Sequence, residues 1–219
     1  ASGVGGGEGA REEREGRWAH EVFAVEKGCL LVAAPEFFVE GSQEYFSQAV
    51  IFVVEHSEEG TMGVILNRPV AYSLDSVEGL SSQKTFAIEK FKKVFRNSAL
   101  YLGGDVSLES IIFLHDVKGL VGAREVIDGV YIGGLESALK LAENNAFDTS
   151  RVRLFAGYAG WGPGQLKQEI ERGVWFCAAG SRDIATSQCI KLKRPLWRQV
   201  LDLMGGRFAE ISKAFDAMD

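Results

Sequence analysis

The chain has 219 residues and a formal net charge of −6, and 46% of its residues are hydrophobic. This length and composition suffice to bury one large core, so we expect one domain, with or without a tail. The acidic balance argues against sequence-independent binding to a phosphate backbone, which depends on Lys and Arg. The longest apolar runs, at 29–35, 49–54 and 111–114, fall far short of the roughly 20 residues of a membrane-spanning helix, so none is predicted.

The three cysteines, Cys29, Cys177 and Cys189, show no Cys-x-x-Cys spacing. An odd count without this spacing favours neither a disulfide framework nor a zinc site, and no paired histidine spacing suggests another metal. Cys29 and Cys177 lie in apolar runs, so we expect both thiols to be buried and unreactive. The sequence therefore predicts no metal, no cofactor and a reducing compartment.

Residues 1–17 contain Gly, Glu and Arg but no aromatic residue. Such a segment buries too little apolar surface to offset the entropy of ordering, so we expect a disordered tail. It is interpreted as what remains after an organelle-targeting transit peptide is removed, or as an arm that orders on a partner. Order is expected from Trp18, with 18–219 forming a single domain.

The predicted elements follow from short apolar runs and from helical spacing. Residues 28–34 and 49–55 predict buried strands, and 64–66 completes a hairpin that ends at Pro69. Further strands are predicted at 100–102, 111–114, 125–132, 152–158 and 174–179, and helices at 84–96, at 136–144, from Gly164 and from Pro195. Strands come in adjacent pairs more often than in βαβ alternation. This favours a mixed sheet with surrounding helices over a doubly wound parallel fold.

The most marked local pattern is the segment 157–175, which predicts a strand, a glycine-rich turn, a helix and a strand. A helix starting near Gly164 exposes unpaired N–H groups that can hold an anion. The turn lacks the Lys and the Ser or Thr of a phosphate loop, so a purely structural turn is the alternative. On this helix Gln165 and Glu169 share one face, whereas Leu166 and Ile170 form the inner face.

Other candidate groups are weaker. His56 ends a strong strand beside Glu58 and Glu59, but no Gly-x-Ser-x-Gly nucleophile elbow accompanies it. A turn histidine bonded to backbone is the alternative. Two basic clusters are interpreted as solvated faces rather than nucleic-acid sites; they comprise Lys84, Lys90, Lys92, Lys93 and Arg96, and Lys191, Lys193, Arg194 and Arg198.

We further expect His56, Asn67 and Arg68 to lie close in space to the turn from Tyr158 to Gln165. Both segments begin where a buried strand ends, and strand ends are where functional loops collect. Arg68 would then place a cation near the helix start at Gly164. The alternative is that Asn67 and Arg68 close a local turn while Trp161 packs inward.

Several motifs, in this order and at these spacings, carry a family resemblance: Gly28-Cys-Leu-Leu-Val-Ala-Ala-Pro35, Val53-Val-Glu-His56, Gly63-Val-Ile-Leu-Asn-Arg-Pro69, Tyr101-Leu-Gly-Gly104, Gly157-Tyr-Ala-Gly-Trp161 and Gly164-Gln-Leu166. On these motifs the chain resembles the YqgE/AlgH family, also called DUF179, over about 18–213. The opening Trp-Ala-His at 18–20 and the ending at 196–212 resemble the plant and algal branch.

The resemblance implies an α+β fold around a split, strongly bent sheet that approaches a barrel. It also implies a nuclear-encoded protein of the plastid stroma, either free or at the periphery of a membrane complex. The family has no established activity, and this chain lacks a helix-turn-helix pattern. Asp105 stands where the family usually has Pro, and residues 178–183 replace a stretch that is often acidic.

Three functions are consistent with these observations. The first is a non-catalytic binding or scaffold module that docks on a larger plastid assembly through an exposed Trp161. The second is an enzyme or small-molecule sensor with a pocket lined by His56, Asn67, Arg68, Tyr158, Trp161 and Gln165. The third is a transcription-related regulator that uses the basic clusters. A flat exposed patch would favour the first, a convergent pocket the second, and basic clusters that meet on one face the third.

Overall fold

The fold is seen in a computed structural model that describes residues 16–38, 43–71, 74, 86–144, 146–190 and 192–216. Within these ranges the strands are β1 (Ala19–Glu21), β2 (Leu30–Ala33), β3 (Val50–Ser57), β4 (Gly60–Ile65), β5 (Pro69–Ala71), β6 (Leu100–Leu102), β7 (Val106–His115), β8 (Ala123–Ile127), β9 (Val130–Gly133), β10 (Val152–Trp161) and β11 (Trp175–Gly180). The helices are α1 (Phe86–Phe95), α2 (Leu135–Glu143), α3 (Gln165–Glu171), α4 (Arg182–Thr186), α5 (Leu196–Met204) and α6 (Gly206–Asp216).

The described strands form one open sheet in the order β1-β11-β2-β3-β4-β10-β7-β9-β8, with β6 paired to β10 and β5 paired to β6. Every described pairing is antiparallel except that of β6 with β10. The α+β class, the mixed sheet and the surrounding helices are therefore confirmed. The predicted hairpins of β3 with β4 and of β8 with β9 are also present.

Strand β10 joins the two parts of the sheet because it changes partners along its length. Leu154 to Ala156 pair with β6 and β7, whereas Ala159 to Trp161 pair with β4. Between them the register shifts at Gly157, which has φ +66. A Cβ at Gly157 would lie 2.7 Å from the carbonyl oxygen of Val106, so this bulge requires glycine.

Three hydrophobic clusters fill the space between sheet and helices. The C-terminal core joins β2, β3 and β10 to α5 and α6, and includes Phe52, Phe155 and Trp197. The aromatic core lies under α3 and includes Phe46, Trp161, Trp175 and both buried cysteines. The third core lies under α1 and α2 and includes Phe95 and Phe113. The indole of Trp197 donates a 2.9 Å hydrogen bond to Ala33, which fastens α5 to the sheet.

Several elements depart from the sequence expectation. β7 and β10 are longer than predicted, and β1, β5, α4 and α6 were not predicted. Of the expected disordered tail, residues 1–15 lie outside the described part of the chain. Arg17 lies within it and donates a 3.1 Å hydrogen bond to Gln199 on α5.

Cys29 and Cys177 are buried, with 3% and 5% of their surface exposed, as expected. Desolvation raises the pKa of Cys29 to about 11 and that of Cys177 to about 12. Among the described residues, no helix is long and apolar enough to cross a membrane. Within the same ranges no group of three or more His, Cys, Asp or Glu side chains is placed to hold a metal ion.

His115, at the end of β7, is fully buried and uses both ring nitrogens. Its Nδ1 accepts the backbone N–H of Val117 at 3.2 Å, so Nε2 carries the proton and donates to Gly133 at 3.0 Å. Burial is the main cause that lowers the pKa of His115 below 6.5, while the nearby charges of Asp116 and Arg151 act in opposite directions. The folded protein therefore holds this histidine neutral.

We expect this histidine to make the fold acid-sensitive. As pH falls below 6.5, the unfolded chain binds a proton that folded His115 does not, so the free energy of unfolding decreases by up to about 1.4 kcal/mol per pH unit until the folded pKa is reached. Urea unfolding at pH 7.5, 6.5 and 5.5 measures this slope. His115→Gln, which cannot ionise, should lose this contribution, and equal slopes in both proteins would contradict the assignment.

Candidate functional site

One carboxylate holds two tryptophans together where β10 ends and α3 begins. Glu169 Oε2 accepts the indole N–H of Trp161 and that of Trp175, each at 2.8 Å. The two rings meet edge to face, with centroids 6.0 Å apart and an interplanar angle of 85°. Because one oxygen satisfies both donors, Glu169 fixes the orientation of both rings.

Gln165 extends this network to the glycine-rich turn. Its Nε2 donates to Glu169 Oε1 at 2.9 Å, and its Oε1 accepts the backbone N–H of Gly162 at 3.1 Å. The predicted shared face of Gln165 and Glu169 is thus confirmed. Gly164 precedes the helix with φ +72, and a Cβ at this position would meet no atom within 4 Å. Glycine is therefore favoured here by the backbone conformation and not by lack of space.

Above these residues lies an open cavity of about 550 Å³, which we call the Glu169 cleft. Its described lining comprises Phe37, Phe38, Gln43, Phe46, Asp105, Val106, Gly160, Trp161, Gln165, Glu169, Arg172, Val174 and Trp175. Phe38 and Phe46 pack against Trp175 with centroids 5.1 and 5.6 Å away. The cleft therefore combines a wall of aromatic rings with polar groups at its rim.

Backbone strain occurs beside this cleft. Phe38 and Ser107 have φ values of +62 and +50, although neither is glycine. Such conformations are rare for residues with a Cβ, and each costs on the order of 1–3 kcal/mol. Phe38 lines the cleft, and Ser107 follows the lining residue Val106. Strain of this kind persists where the surrounding structure imposes it, which is common at binding sites.

Asp105, the residue that departs from the family pattern, lies on the cleft. The preceding Gly103-Gly104 passes so close to β10 that a Cβ at Gly104 would overlap the backbone of Tyr158 at 2.1 Å. This approach carries Asp105 to the rim. Burial and a hydrogen bond with Asp105 both raise the pKa of the Tyr45 hydroxyl, which is therefore neutral and donates to the carboxylate.

His56 lies near Trp161 but does not line the cleft. Its Nδ1 and the hydroxyl of Thr61 are 2.7 Å apart, and Thr61 is the register partner of Trp161 in the neighbouring strand. One strand therefore separates His56 from Trp161. The side chain is exposed and bonded to its own hairpin rather than directly to the Glu169 network.

The expectation that Asn67 and Arg68 join this region is wrong. Asn67 accepts the N–H of Val50 and donates to the carbonyl of Gln48, so it lies at the opposite end of the β3–β4 hairpin from His56. Arg68 donates to the carbonyls of Tyr45, Ser47 and Asn67. Burial lowers its pKa, yet it remains a cation. Both residues close a local turn, and Arg68 supplies no charge at Gly164.

Tyr158 also lies elsewhere, because the bulge at Gly157 changes the face on which β10 residues project. Tyr158 packs with the C-terminal core, whereas Ala159 and Trp161 pack with the aromatic core. Trp161 itself is 6% exposed, so the expectation that it forms an exposed interface anchor is wrong. Its contribution to the cleft is to the floor.

The rings that sequence reasoning left unassigned are Phe37, Phe38, Phe46 and Trp175. The rings of Phe37, Phe38, Tyr45 and Phe46 all pack with the aromatic core. Phe37 and Phe38 are half-buried, however, and supply the accessible rings. The available signal was the density of aromatic residues between 37 and 46, which periodicity does not distinguish from ordinary core.

Several described members of the two basic clusters are buried or paired with acidic residues. Arg198 is 6% exposed and donates to the carbonyl of Phe215 at 2.9 Å, so its assignment to a solvated face is wrong. Arg194 pairs with Asp202 at 2.7 Å. In the first cluster Lys90 pairs with Glu143 at 2.7 Å, while Lys84 and Lys191 lie outside the described residues.

The fold and the cleft define an open-sheet α+β domain with an aromatic-lined cleft. The sequence pattern of the AlgH-like family (DUF179) matches residues 30–209, so the chain belongs to this family. A UPF0301 protein of Chlamydia muridarum is 34% identical over 192 residues, which cover 86% of this chain and 91% of that protein. One from Chlorobium chlorochromatii is 32% identical over 189 residues, covering 85% and 90%.

Two solved structures share the fold. A crystal structure of a Corynebacterium diphtheriae protein matches with a TM-score of 0.65 and 27% identity, covering 88% of this chain and 94% of that one. The solution structure of AlgH from Pseudomonas aeruginosa matches with a TM-score of 0.60 and 22% identity, covering 85% and 92%. The family resemblance is therefore confirmed. The family itself is one of unknown function.

If Asn67 is a turn-closing residue, its removal will destabilise the fold. Asn67→Ala leaves the buried N–H of Val50 without its acceptor and should lower the free energy of unfolding by about 2–4 kcal/mol. Asn97→Ala, at an exposed site, is the matched control and should change it by less than about 0.5 kcal/mol. Urea denaturation of both variants tests this, and equal stabilities would contradict the assignment.

Glu169 should be the main polar support of the cleft. Glu169→Ala leaves two indole N–H groups without an acceptor, so we expect a loss of about 2–4 kcal/mol and altered near-ultraviolet circular dichroism. Glu169→Gln keeps one acceptor oxygen and should lose less. Glu171→Ala, exposed on the same helix, controls for the loss of a carboxylate. A Glu169→Ala protein as stable as Glu171→Ala would contradict this role.

Proposed function

We propose that the protein is a non-catalytic binding module and that the Glu169 cleft is its binding site. The single observation that carries this proposal is the clamped pair Trp161 and Trp175 beneath a strained, half-exposed Phe38. Preformed aromatic surfaces bind with little loss of conformational entropy. The polar groups at the rim, Asp105 and Arg172, would orient the bound group through hydrogen bonds. None of the described lining residues is Ser, Thr, Cys, His or Lys, and the carboxylate of Glu169 already accepts three hydrogen bonds.

The bound group, in this proposal, is an apolar or aromatic side chain of a larger protein assembly in the plastid stroma. Aromatic-lined recesses of this kind are where interface anchor residues insert. The plastid location is supported by the resemblance of the terminal segments to the plant and algal branch. Immunodetection in purified plastid fractions tests that part separately, and recovery only outside plastids would overturn it.

A small-molecule sensor is the second candidate, because one observation favours it. The cleft volume of about 550 Å³ lies within the usual range for sites that bind small molecules, roughly 300–1,000 Å³. The same rings and rim groups would then surround a free ligand. The enzyme and nucleic-acid alternatives receive no comparable support from the cleft or from the dispersed basic residues.

The two candidates can be separated with a photocrosslinking residue placed at Gln165, on the rim. Irradiation in stromal extract should yield an adduct that the same residue at exposed Lys118, outside the cleft, does not yield. A shift to a larger band on a gel supports a protein partner, whereas a small increase in intact mass supports a free ligand. Equal labelling at both positions would contradict the proposal.

Phe38→Gly tests binding without the expected cost in stability. Glycine adopts φ +62 without strain, so relief of strain should offset much of the packing lost with the ring. We expect a folded protein with near-native stability and binding weakened by about tenfold or more, as for a central aromatic anchor. Undiminished crosslinking at Gln165 in this background would exclude Phe38 from recognition.

A further inference from the structure

Arg153 on β10 is a buried cation without an acidic partner among the described residues. It is 1% exposed and belongs to none of the ion pairs found within those ranges. Its Nη1 donates to the carbonyl of Ala185 at 3.0 Å, and Nη2 donates to the carbonyl of Leu66. Buried charges are costly unless they are paired and hydrogen-bonded, so these two carbonyls compensate the charge only in part.

The face of the guanidinium packs against two aromatic rings, and its Nε has no acceptor. Its central carbon lies 4.4 Å from the ring centroid of Tyr101 and 5.1 Å from that of Phe155. Its Nε is buried and has no hydrogen-bond partner among the described residues. A buried donor without an acceptor is rare and marks a position where an acceptor could be accommodated favourably.

Within the described part of the chain, Arg153 contacts one side chain that small oxidants can modify, the thiol of Cys189. Its Sγ lies 3.6 Å from Arg153 Nη2. The backbone N–H of Cys189 donates to the Tyr101 hydroxyl at 3.0 Å, and that hydroxyl donates to Gln188 at 2.8 Å. These bonds hold the sulfur at the guanidinium, while Cys189 remains half-buried and within reach of small molecules.

We propose that Cys189 is a modification site at which Arg153 holds the thiolate for oxidation by small hydroperoxides. The thiolate attacks one peroxide oxygen, an S–O bond forms, the O–O bond breaks, and the departing hydroxide or alkoxide takes a proton from water. Cysteine is oxidised to the sulfenic acid and the peroxide is reduced. The unused Nε–H of Arg153 offers a donor to the added oxygen. The carbonyl of Ser187, 3.7 Å from the sulfur, is the contact that favours the thiol instead.

The sulfenic acid is then captured by a thiol from solution. Cys29 and Cys177 belong to the aromatic core and are buried, whereas Cys189 packs against the C-terminal core. Neither buried thiol is therefore available as a resolving partner in the folded protein. A low-molecular-weight thiol of the glutathione class forms the S–S bond to Cys189, and the sulfenic oxygen leaves as water.

The deciding measurement uses the unaltered protein. Native and urea-unfolded protein are treated with hydrogen peroxide at pH 7 and the same ionic strength. A dione traps the sulfenic acid, and mass spectrometry quantifies the labelled peptide of each cysteine. A half-buried ordinary thiol reacts more slowly when folded, but a thiolate held by a cation reacts faster. We expect Cys189 to react at least about threefold faster in the native state, and Cys29 and Cys177 to react more slowly.

Variants then assign the effect to Arg153. Arg153→Met should abolish the native-state enhancement, whereas Arg124→Met, which removes an exposed arginine that pairs with Glu55, should retain it. If Arg153→Met does not fold, the native-to-unfolded ratio of the unaltered protein still decides. Slower oxidation of native Cys189 would overturn the proposal. With glutathione present, a mixed disulfide on Cys189 supports the second step, and a disulfide to Cys29 or Cys177 would refute it.

Discussion

The fold depends on one backbone irregularity, the bulge at Gly157 in the central strand. Its left-handed conformation shifts the register between Ala156 and Tyr158 and turns the later residues to the other face. Before the bulge, Arg153 and Phe155 face the C-terminal core; after it, Trp161 faces the aromatic core. A side chain at Gly157 would collide with Val106, so both the cleft and the surroundings of Arg153 require this glycine.

The Glu169 cleft and the surroundings of Arg153 both bury polar groups among aromatic rings, but they differ in how fully those groups are hydrogen-bonded. In the cleft, one carboxylate satisfies two indole donors and a glutamine, so the network is complete and rigid. Around Arg153, carbonyls and ring faces compensate the charge, and one donor has no acceptor. The complete network suits a preformed binding surface, whereas the incomplete one suits a place where chemistry adds an acceptor.

The error about Asn67 and Arg68 has a topological cause. Both they and His56 follow strands, and that property is visible in the sequence. Successive strands of an antiparallel hairpin, however, run in opposite directions and therefore finish at opposite ends of the strand pair. His56 lies near the end of β3, close to Trp161. Asn67 follows β4 at the opposite end of the hairpin and bonds to Val50 at the start of β3. Counting strand ends without their direction therefore places two distant segments together.

The sequence by itself determined most of the local elements, the paired strands, the helix face of Gln165 and Glu169, the burial of Cys29 and Cys177, and the family. These follow from periodicity and residue chemistry within short segments, which covalent geometry dictates. Only the tertiary structure decided that Trp161 is buried, that Phe38 lines a cleft, and that Arg153 meets Cys189 across 36 positions. Those contacts depend on the order of strands in the sheet and on a bulge that reverses a face, and neither has a periodic signature in the chain.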